Sequence, residues 1–369
     1  MSELDPIYHE LAARMRRPDS KVLPDLLHSL FSIEQAKIIR EMPAPPEEIG
    51  KKLGLSQETV DKHIQELFEK GVISHGKKGW NLQARWFVLH DLAGNSAPKY
   101  DNNEFFDLMM AMMDESLEIL GKRWKDNKDP KLMQVQRVVP DWKVIKDIPG
   151  VLPCEDTRIA FKDKKPIVSI HCACKRIDRN RKCKDDIPLD ICFVAGEAGE
   201  RAINRGIGFE ISHDEYLKIQ DRAYGYGLVH LFPNDSGSPE GLCNCHGCCC
   251  GQFLISAYTK PHFNILSYAK SRFVTEVNPD KCATCYTCVN RCPVGAAQVK
   301  FYPEYGKVRA YINAEECIGC GLCVLTCKTG ARKMKIVRPP EHIPPARKGL
   351  DLSTFSEELL SQLADAFIP

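Results

Sequence analysis

Apolar residues recur at helical spacing in the first quarter of the chain. The pattern predicts helices over residues 32–42, 46–53 and 56–70. Gly54 permits a tight turn before the third helix, and Ser56 is placed to cap it. Apolar residues then alternate over 72–82, which predicts a two-stranded hairpin. These elements together indicate a small helical unit that carries one hairpin.

Later segments show the same two periodicities. A methionine-rich stretch over 103–124 predicts a helix whose stripe fills a core or a self-association face. Ser212 and Glu215 have the spacing of a capping box, so a helix is expected to follow Ser212. The pattern further predicts a hairpin over 297–312, charged linkers over 125–130 and 339–347, and a closing helix over 353–367.

Composition limits the class of protein. The chain has 369 residues, of which 43% are hydrophobic and 27% charged, with a net charge of +2. Length predicts two to four domains, and the small net charge gives no general attraction to nucleic acid or membranes. No uncharged apolar run reaches the roughly 18 residues of a membrane span, and residues 1–17 lack the apolar segment of an export signal. We therefore expect a cytoplasmic protein whose 18 cysteines bind metal.

The cysteines near the carboxyl end form a repeat. Two runs with the spacing Cys-x2-Cys-x2-Cys-x3-Cys follow one another at an offset of 35 residues. They comprise Cys282, Cys285, Cys288 and Cys292, and then Cys317, Cys320, Cys323 and Cys327. Thiolates at this spacing suit the irons of a cubane cluster, and glycines after and between ligands let backbone amides approach its sulfides.

Residues 275–337, including the phrase Cys292-Pro293-Val294-Gly295-Ala296, resemble the bacterial two-cluster ferredoxins. The resemblance implies two [4Fe-4S] clusters that exchange their fourth ligands. One cluster would take Cys282, Cys285, Cys288 and Cys327, and the other Cys317, Cys320, Cys323 and Cys292. Lys328 stands where this family often has proline, which removes no ligand. Fully thiolate-ligated clusters have no open iron, so they would relay single electrons.

Ten further cysteines lie in the middle of the chain. Nine of them are candidate ligands of a further metal centre: Cys172, Cys174, Cys183, Cys192, Cys243, Cys245, Cys248, Cys249 and Cys250. Zinc is one alternative, because Cys-x-Cys and Cys-x2-Cys spacings suit a structural zinc site. The neighbouring ferredoxin-like runs favour an iron-sulfur cluster over zinc. Cys154 stands apart, and we interpret it as an ordinary buried thiol.

This middle region is similar to cysteine-rich segments of iron-sulfur oxidoreductases from anaerobes. The matching residues are Cys172 and Cys174, the phrase 227–230 (Gly-Leu-Val-His), and the phrase 243–245 (Cys-Asn-Cys). His246 stands where that pattern would have another cysteine. His171, His230 and His246 are either ligands, proton carriers or, as is more common for single histidines, packing residues.

Residues 24–92 resemble winged-helix domains of small bacterial repressors. Acidic residues outnumber basic ones on the exposed side of the third helix, where a DNA-reading helix would face phosphates. Lys77 and Lys78 in the hairpin are too few to hold a duplex alone. The pattern therefore favours a docking or scaffold role for this unit over DNA binding, which stays open as an alternative.

The sequence thus predicts an α+β multidomain protein. The expected units are a winged helix (24–92), a helical connector (93–150), a cysteine-rich α/β domain (151–265), a two-cluster ferredoxin module (272–337), and a linker with a closing helix (338–369). No nucleotide-binding glycine fingerprint is visible, so organic redox cofactors would come from partners, which we expect to be flavin- or metal-containing oxidoreductase subunits. The favoured function is electron transfer; the alternatives are a redox-responsive DNA-binding regulator and an enzyme with its active cluster in the middle domain.

Overall fold

The structure is a computed structural model that describes residues 4–76, 78–83, 85–126, 134–178 and 187–346, with the backbone alone over 118–126. It combines helices with several small antiparallel sheets, consistent with the expected α+β class. Among the described helices, none is both long enough and apolar enough to cross a bilayer. The predicted closing helix over 353–367 lies outside the described residues.

The N-terminal unit is built from helices and one hairpin. Its elements are α1 (Pro6–Arg14), α2 (Leu23–Leu30), α3 (Ile33–Glu41), α4 (Pro46–Leu53), α5 (Gln57–Glu69), β1 (Ile73–Gly76), β2 (Gly79–Leu82), α6 (Trp86–Leu92) and α7 (Asn103–Asp126). Gly54 adopts a left-handed conformation with φ 69° between α4 and α5, and Ser56 caps α5 by accepting a hydrogen bond from the Thr59 N–H. The predicted helices and hairpin are confirmed.

The methionine stripe of α7 packs inside the protein. Met109, Met112 and Met113 are buried in the same apolar cluster as Phe105 and Phe106. Helix α7 contacts α2 on one side and the middle of the chain on the other. Of the two alternatives for this helix, core filling is therefore confirmed for its described side chains.

The middle of the chain forms a six-stranded sheet with helices around it. Its elements are β3 (Gln136–Val139), α8 (Trp142–Ile145), β4 (Ile167–Ile170), α9 (Ala173–Ile177), β5 (Cys192–Ala195), α10 (Glu197–Asn204), β6 (Phe209–Ile211), α11 (His213–Gly225), β7 (Val229–Pro233), β8 (Gly241–Cys245) and α12 (Gly251–Phe263). The strand order is β3-β7-β8-β5-β4-β6. The capping box predicted at Ser212 and Glu215 is confirmed at the start of α11.

Two expectations for this region are corrected. Every pairing between named strands of the sheet is antiparallel, so the region is not an α/β domain. The expected helical connector 93–150 contains β3, which pairs with β7 and belongs to the sheet. Buried Val138 and Val139 favour a strand there, because β-branched residues pack well on a pleated surface. The sequence pattern does not distinguish this four-residue strand from the helices on either side of it.

The carboxyl-terminal region is a small module of short strands and single-turn helices. Its elements are β9 (Phe273–Val277), α13 (Thr287–Asn290), β10 (Ala297–Tyr302), β11 (Lys307–Ile312), α14 (Leu322–Leu325) and β12 (Arg332–Ile336). Strands β10 and β11 form the predicted hairpin, and β9 pairs with β12, so the first and last strands close the module. Two repeated halves therefore lie between two strands that hold their ends together.

A buried ion pair joins this module to the middle of the chain. Arg272 donates to Glu155 at 2.8 Å, with 3% and 1% of the two side chains exposed. The same guanidinium also donates to the backbone carbonyl of Gly150 at 3.2 Å. We expect Arg272→Met to lower the free energy of unfolding by about 3–5 kcal/mol, because it leaves a buried carboxylate without its positively charged partner.

Anaerobic chemical denaturation followed by circular dichroism measures this effect. Lys335→Met is the matched control, since it removes a pair with Glu276 at the same 2.8 Å distance whose side chains are 60% and 56% exposed. The control should lose much less stability. Adding Glu155→Leu to Arg272→Met should restore part of the loss. Equal effects of the Arg272 and Lys335 changes would contradict the assigned role of the buried pair.

Candidate metal centres

The first cavity of the carboxyl-terminal module is lined by thiols from both cysteine runs. Cys282, Cys285 and Cys288 come from the first run, and Cys327 comes from the end of the second. The empty volume is about 410 Å³, part of it open to solvent. The structure therefore brings together the quartet that the family resemblance implied.

The second cavity has the complementary composition. Cys317, Cys320 and Cys323 of the second run line it together with Cys292 of the first, around an empty volume of about 290 Å³. Apolar side chains complete the wall of this cavity, including Ile312. Each cavity thus contains three thiols of one run and the last thiol of the other, which is the geometry of exchanged fourth ligands.

Backbone amides donate to the sulfurs at these cavities. Cys282 Sγ accepts from the N–H of Thr284 at 3.4 Å and from that of Ala310 at 3.3 Å. Cys292 Sγ accepts from the N–H of Ala297 at 3.4 Å. Amide donors favour thiolate over thiol, and they tune the potential of a cluster held by such sulfurs. These amide hydrogen bonds to cysteine sulfurs therefore suit iron-sulfur clusters.

The two cavities differ in exposure. Hydrogen bonds from the hydroxyl and the N–H of Thr287 lower the pKa of Cys285, which lies at the surface. Burial raises the pKa of Cys323 in the second cavity to about 11. A buried thiolate needs a positive partner, which metal supplies. The thiols of the first cavity are accordingly the more exposed set.

A glycine allows the second cysteine run to lie close to β9. Gly319 has φ 72°, and a Cβ atom there would stand 2.1 Å from Ser271 Oγ and 2.2 Å from the Phe273 carbonyl oxygen. A side chain at this position would clash with the backbone of the module. The turn between Cys317 and Cys320 therefore depends on glycine.

Six thiols of the middle region form a closed ring. Each interacts through hydrogen bonds with two others, in the order Cys172, Cys174, Cys250, Cys245, Cys243, Cys192 and back to Cys172. The Sγ atoms of Cys245 and Cys250 are 3.0 Å apart. We call this set the six-thiol ring. The ring contains six of the nine candidate ligands that the sequence indicates in the middle of the chain.

Four secondary-structure elements bring the ring together. Cys172 and Cys174 lie at the start of α9, and Cys192 begins β5, where it pairs with Ile170. Residues two apart on a strand share a face, so Cys243 and Cys245 point the same way from β8. Cys250 is the N-cap of α12. Strand pairing and two helix starts thus place thiols that lie far apart in sequence beside one another.

The six sulfurs of the ring can all be thiolates only if positive charge lies beside them. Hydrogen bonds with Cys172 and Cys243, together with burial, raise the pKa of Cys192 well above its ordinary value. Hydrogen bonds with Cys174 and Cys245 lower the pKa of Cys250 to about 5. Some ring sulfurs are thus stabilised as thiolates only while others keep their protons. Bound metal ions would stabilise all six sulfurs as thiolates.

Two basic side chains lie next to the ring, and one of them, His90, was not found from the sequence. His90, from α6, hydrogen-bonds to Cys174 and, through Nδ1, to Asp91 Oδ1 at 2.8 Å. Buried Lys175 donates to the Asn244 carbonyl at 3.4 Å, between two ring cysteines. His90 lies more than 80 positions before Cys174, so no spacing rule could have connected them.

The remaining candidates lie in different places. Among the described residues, three ligand atoms that all lie within 4.8 Å of one another are found at His246, Cys248 and Cys249. Buried His230 hydrogen-bonds to the buried side chain of Asn244 through Nδ1. His171 is partly buried beside Cys172, half-buried Cys154 lies outside the ring, and Cys183 lies outside the described residues.

The ring and the second cavity share an apolar cluster. Cys245 and Cys250 of the ring pack in one cluster with Tyr268. Cys320 of the second cavity packs against the same cluster. Burial raises the pKa of the Tyr268 hydroxyl, and negative charge at Cys250 and Cys320 raises it further. Tyr268 therefore lies between the ring and the second cavity.

Comparison with protein families agrees with this geometry. The model of the 4Fe-4S dicluster domain matches residues 275–328. A search of curated proteins finds no match to the chain. The chain therefore contains a ferredoxin-like iron-sulfur domain, and this domain supports a role in iron-sulfur electron transfer.

Proposed function

We propose that this protein is a one-electron carrier that serves a larger oxidoreductase, with two [4Fe-4S] clusters at the carboxyl-terminal cavities. Cys282, Cys285, Cys288 and Cys327 would hold one cluster, and Cys317, Cys320, Cys323 and Cys292 the other. The main support is the mixed origin of the four thiols in each cavity. The clusters would supply one-electron chemistry, and four thiolates on each leave no iron open to a reactant.

The six-thiol ring would hold a third centre with more than one metal ion. In a tetrahedral zinc site with Zn–S bonds of about 2.3 Å, ligand sulfurs stand about 3.8 Å apart, so any three lie close together. Among the described residues, no three ring sulfurs all lie within 4.8 Å of one another. A ring of this width suits a cluster whose irons bind different thiolates, and it disfavours a single zinc ion.

The arrangement supports a path for electrons through the chain. Cys285 of the first cavity is exposed, while the second cavity shares Tyr268 with the ring. Arg291, in the first cysteine run, donates to the carbonyls of Tyr224 and Gly225 at the end of α11 and so holds the module against the middle region. Electrons would enter at the exposed cluster and pass through the second cluster to the ring. A flavin- or metal-containing partner would exchange electrons at either end.

Metal analysis tests the proposed centres. Protein purified without air should contain about eight irons and eight acid-labile sulfides for two clusters, and about twelve of each if the ring holds a cubane. Electron paramagnetic resonance of the reduced protein should show interacting clusters. A preparation without acid-labile sulfide would overturn the electron-transfer function, and eight irons with an empty or zinc-filled ring would overturn the third centre alone.

A redox-responsive regulator is the second candidate, and two contacts favour it. His90 in the N-terminal unit hydrogen-bonds to ring Cys174. Arg205, at the end of α10, donates to the Leu92 carbonyl at 2.6 Å and to the Phe68 carbonyl at 3.2 Å, near the end of α5. A change at the ring could thus reach the helical unit. Retention on one DNA duplex that persists at high salt and changes with cluster oxidation would favour this function.

A further inference from the structure

The turn between β8 and α12 brings together three ligand atoms that do not belong to the six-thiol ring. The Cys250 N–H donates to the His246 carbonyl at 3.1 Å, which folds the turn back on itself. His246 Nδ1 then lies 2.9 Å from Cys248 Sγ. The Sγ of Cys249 completes a triplet in which all three atoms lie within 4.8 Å of one another.

These separations suit one metal ion. With bonds of about 2.3 Å to sulfur and about 2.0 Å to nitrogen, a tetrahedral zinc ion has its ligand atoms roughly 3.5 Å apart. The separations in the triplet, one of 2.9 Å and all below 4.8 Å, bracket that value, whereas the ring sulfurs among the described residues form no such triplet. The two arrangements therefore require different kinds of centre, although their cysteines are neighbours in sequence.

We propose that His246, Cys248 and Cys249 bind a single zinc ion, separate from the metal centre of the six-thiol ring. The two thiols lose their protons as the ion binds, and His246 binds as neutral imidazole through Nδ1. Water or another donor completes the coordination. The site goes beyond the electron-transfer function, since zinc does not change its oxidation state.

The ion would lie where the middle region contacts the ferredoxin-like module. A Cβ atom at Gly247 would stand 3.3 Å from Pro293 Cβ, and Pro293 directly follows Cys292 of the second cavity. The buried ammonium of Lys175 interacts with charge on Cys249. Zinc would therefore hold the 246–249 turn in the shape that packs against the second cavity.

Metal analysis of matched variants tests the site. The full chain, purified without air and washed with a mild chelator, should retain about one zinc per chain in addition to its iron. Cys248→Ser and His246→Ala should weaken zinc binding by more than the roughly 10–100-fold cost of an outer-shell change, with iron unchanged. Ring variant Cys192→Ala should show the reverse, with zinc retained and the iron of the third centre lost.

Two further measurements separate coordination from folding. His246→Cys supplies a thiolate in place of imidazole, so it should retain the ion, and cobalt in place of zinc should give stronger sulfur-to-metal charge-transfer bands. The irons of the two carboxyl-terminal clusters should persist in every variant, which reports a folded chain.

Absence of zinc from the wild-type chain after incubation with zinc would overturn the proposal, as would loss of iron instead of zinc in Cys248→Ser. Neither result would affect the electron-transfer function. That function fails only if iron and sulfide are absent from the carboxyl-terminal module.

Discussion

A chain with Cys288→Ala and Cys327→Ala should keep one complete cluster in its carboxyl-terminal module, whereas a chain with Cys288→Ala and Cys292→Ala should keep none. The first pair removes two thiols from the same cavity, and the second pair removes one thiol from each cavity. Exchanged ligands therefore predict opposite results from those expected if each run held its own cluster. Both double variants lose the same number of thiols.

Iron, sulfide and electron paramagnetic resonance measure the outcome. The Cys288/Cys327 variant should lose about four of the module's eight irons, and its reduced spectrum should simplify from interacting clusters to one isolated cluster. The Cys288/Cys292 variant should lose most of the cubane signal. Retention of a full cluster in the Cys288/Cys292 variant, with none in the Cys288/Cys327 variant, would show that each run binds its own cluster.

The sequence predicted the parts of the molecule that depend on local spacing. The hairpin 297–312 and the cap at Ser212 followed from short patterns, and the structure contains both. The cysteine runs could also be identified from their spacing, because three ligands of each cavity lie within a few residues of one another. Only the fourth ligand comes from a distance, and its placement rested on the family resemblance.

The six-thiol ring could not be assigned in the same way. Its composition depends on β5 pairing with β8, where Phe193 lies opposite Leu242, and no sequence pattern specified that partner. Alternation along β8 shows that Cys243 and Cys245 share a face, but it does not show which thiols they meet. Cys248 and Cys249 look equivalent to Cys250 in sequence, yet the turn places their sulfurs beside His246.

The middle sheet shows a further limit of periodicity. The middle region was expected to be an α/β domain, yet its named strands pair antiparallel throughout the sheet. Strand β3 has just four residues, and its burial pattern lacks the alternation that marks a half-buried strand. Pairing direction is set by long-range contacts, so sequence patterns of this length do not determine it.

Loss of one ring thiol should remove the third metal centre and leave the two carboxyl-terminal clusters in place. Cys192 is buried and joins the Cys172 side of the ring to the Cys243 side, so Cys192→Ala opens the ring. We expect total iron to fall from about twelve to about eight per chain. Cys154→Ala is the matched control, because that half-buried thiol lies outside the ring, and iron should stay unchanged.

Electron transfer should change together with the metal content. A chain with Cys192→Ala should still accept electrons at the exposed first cluster and hold them in its two remaining clusters, because neither cavity contains Cys192. Reductive titration should therefore take up one electron fewer per chain than wild type, with the cubane signals of the module retained. Equal iron content and electron uptake in wild type, Cys192→Ala and Cys154→Ala would show that the ring is a set of packed thiols and carries no redox centre.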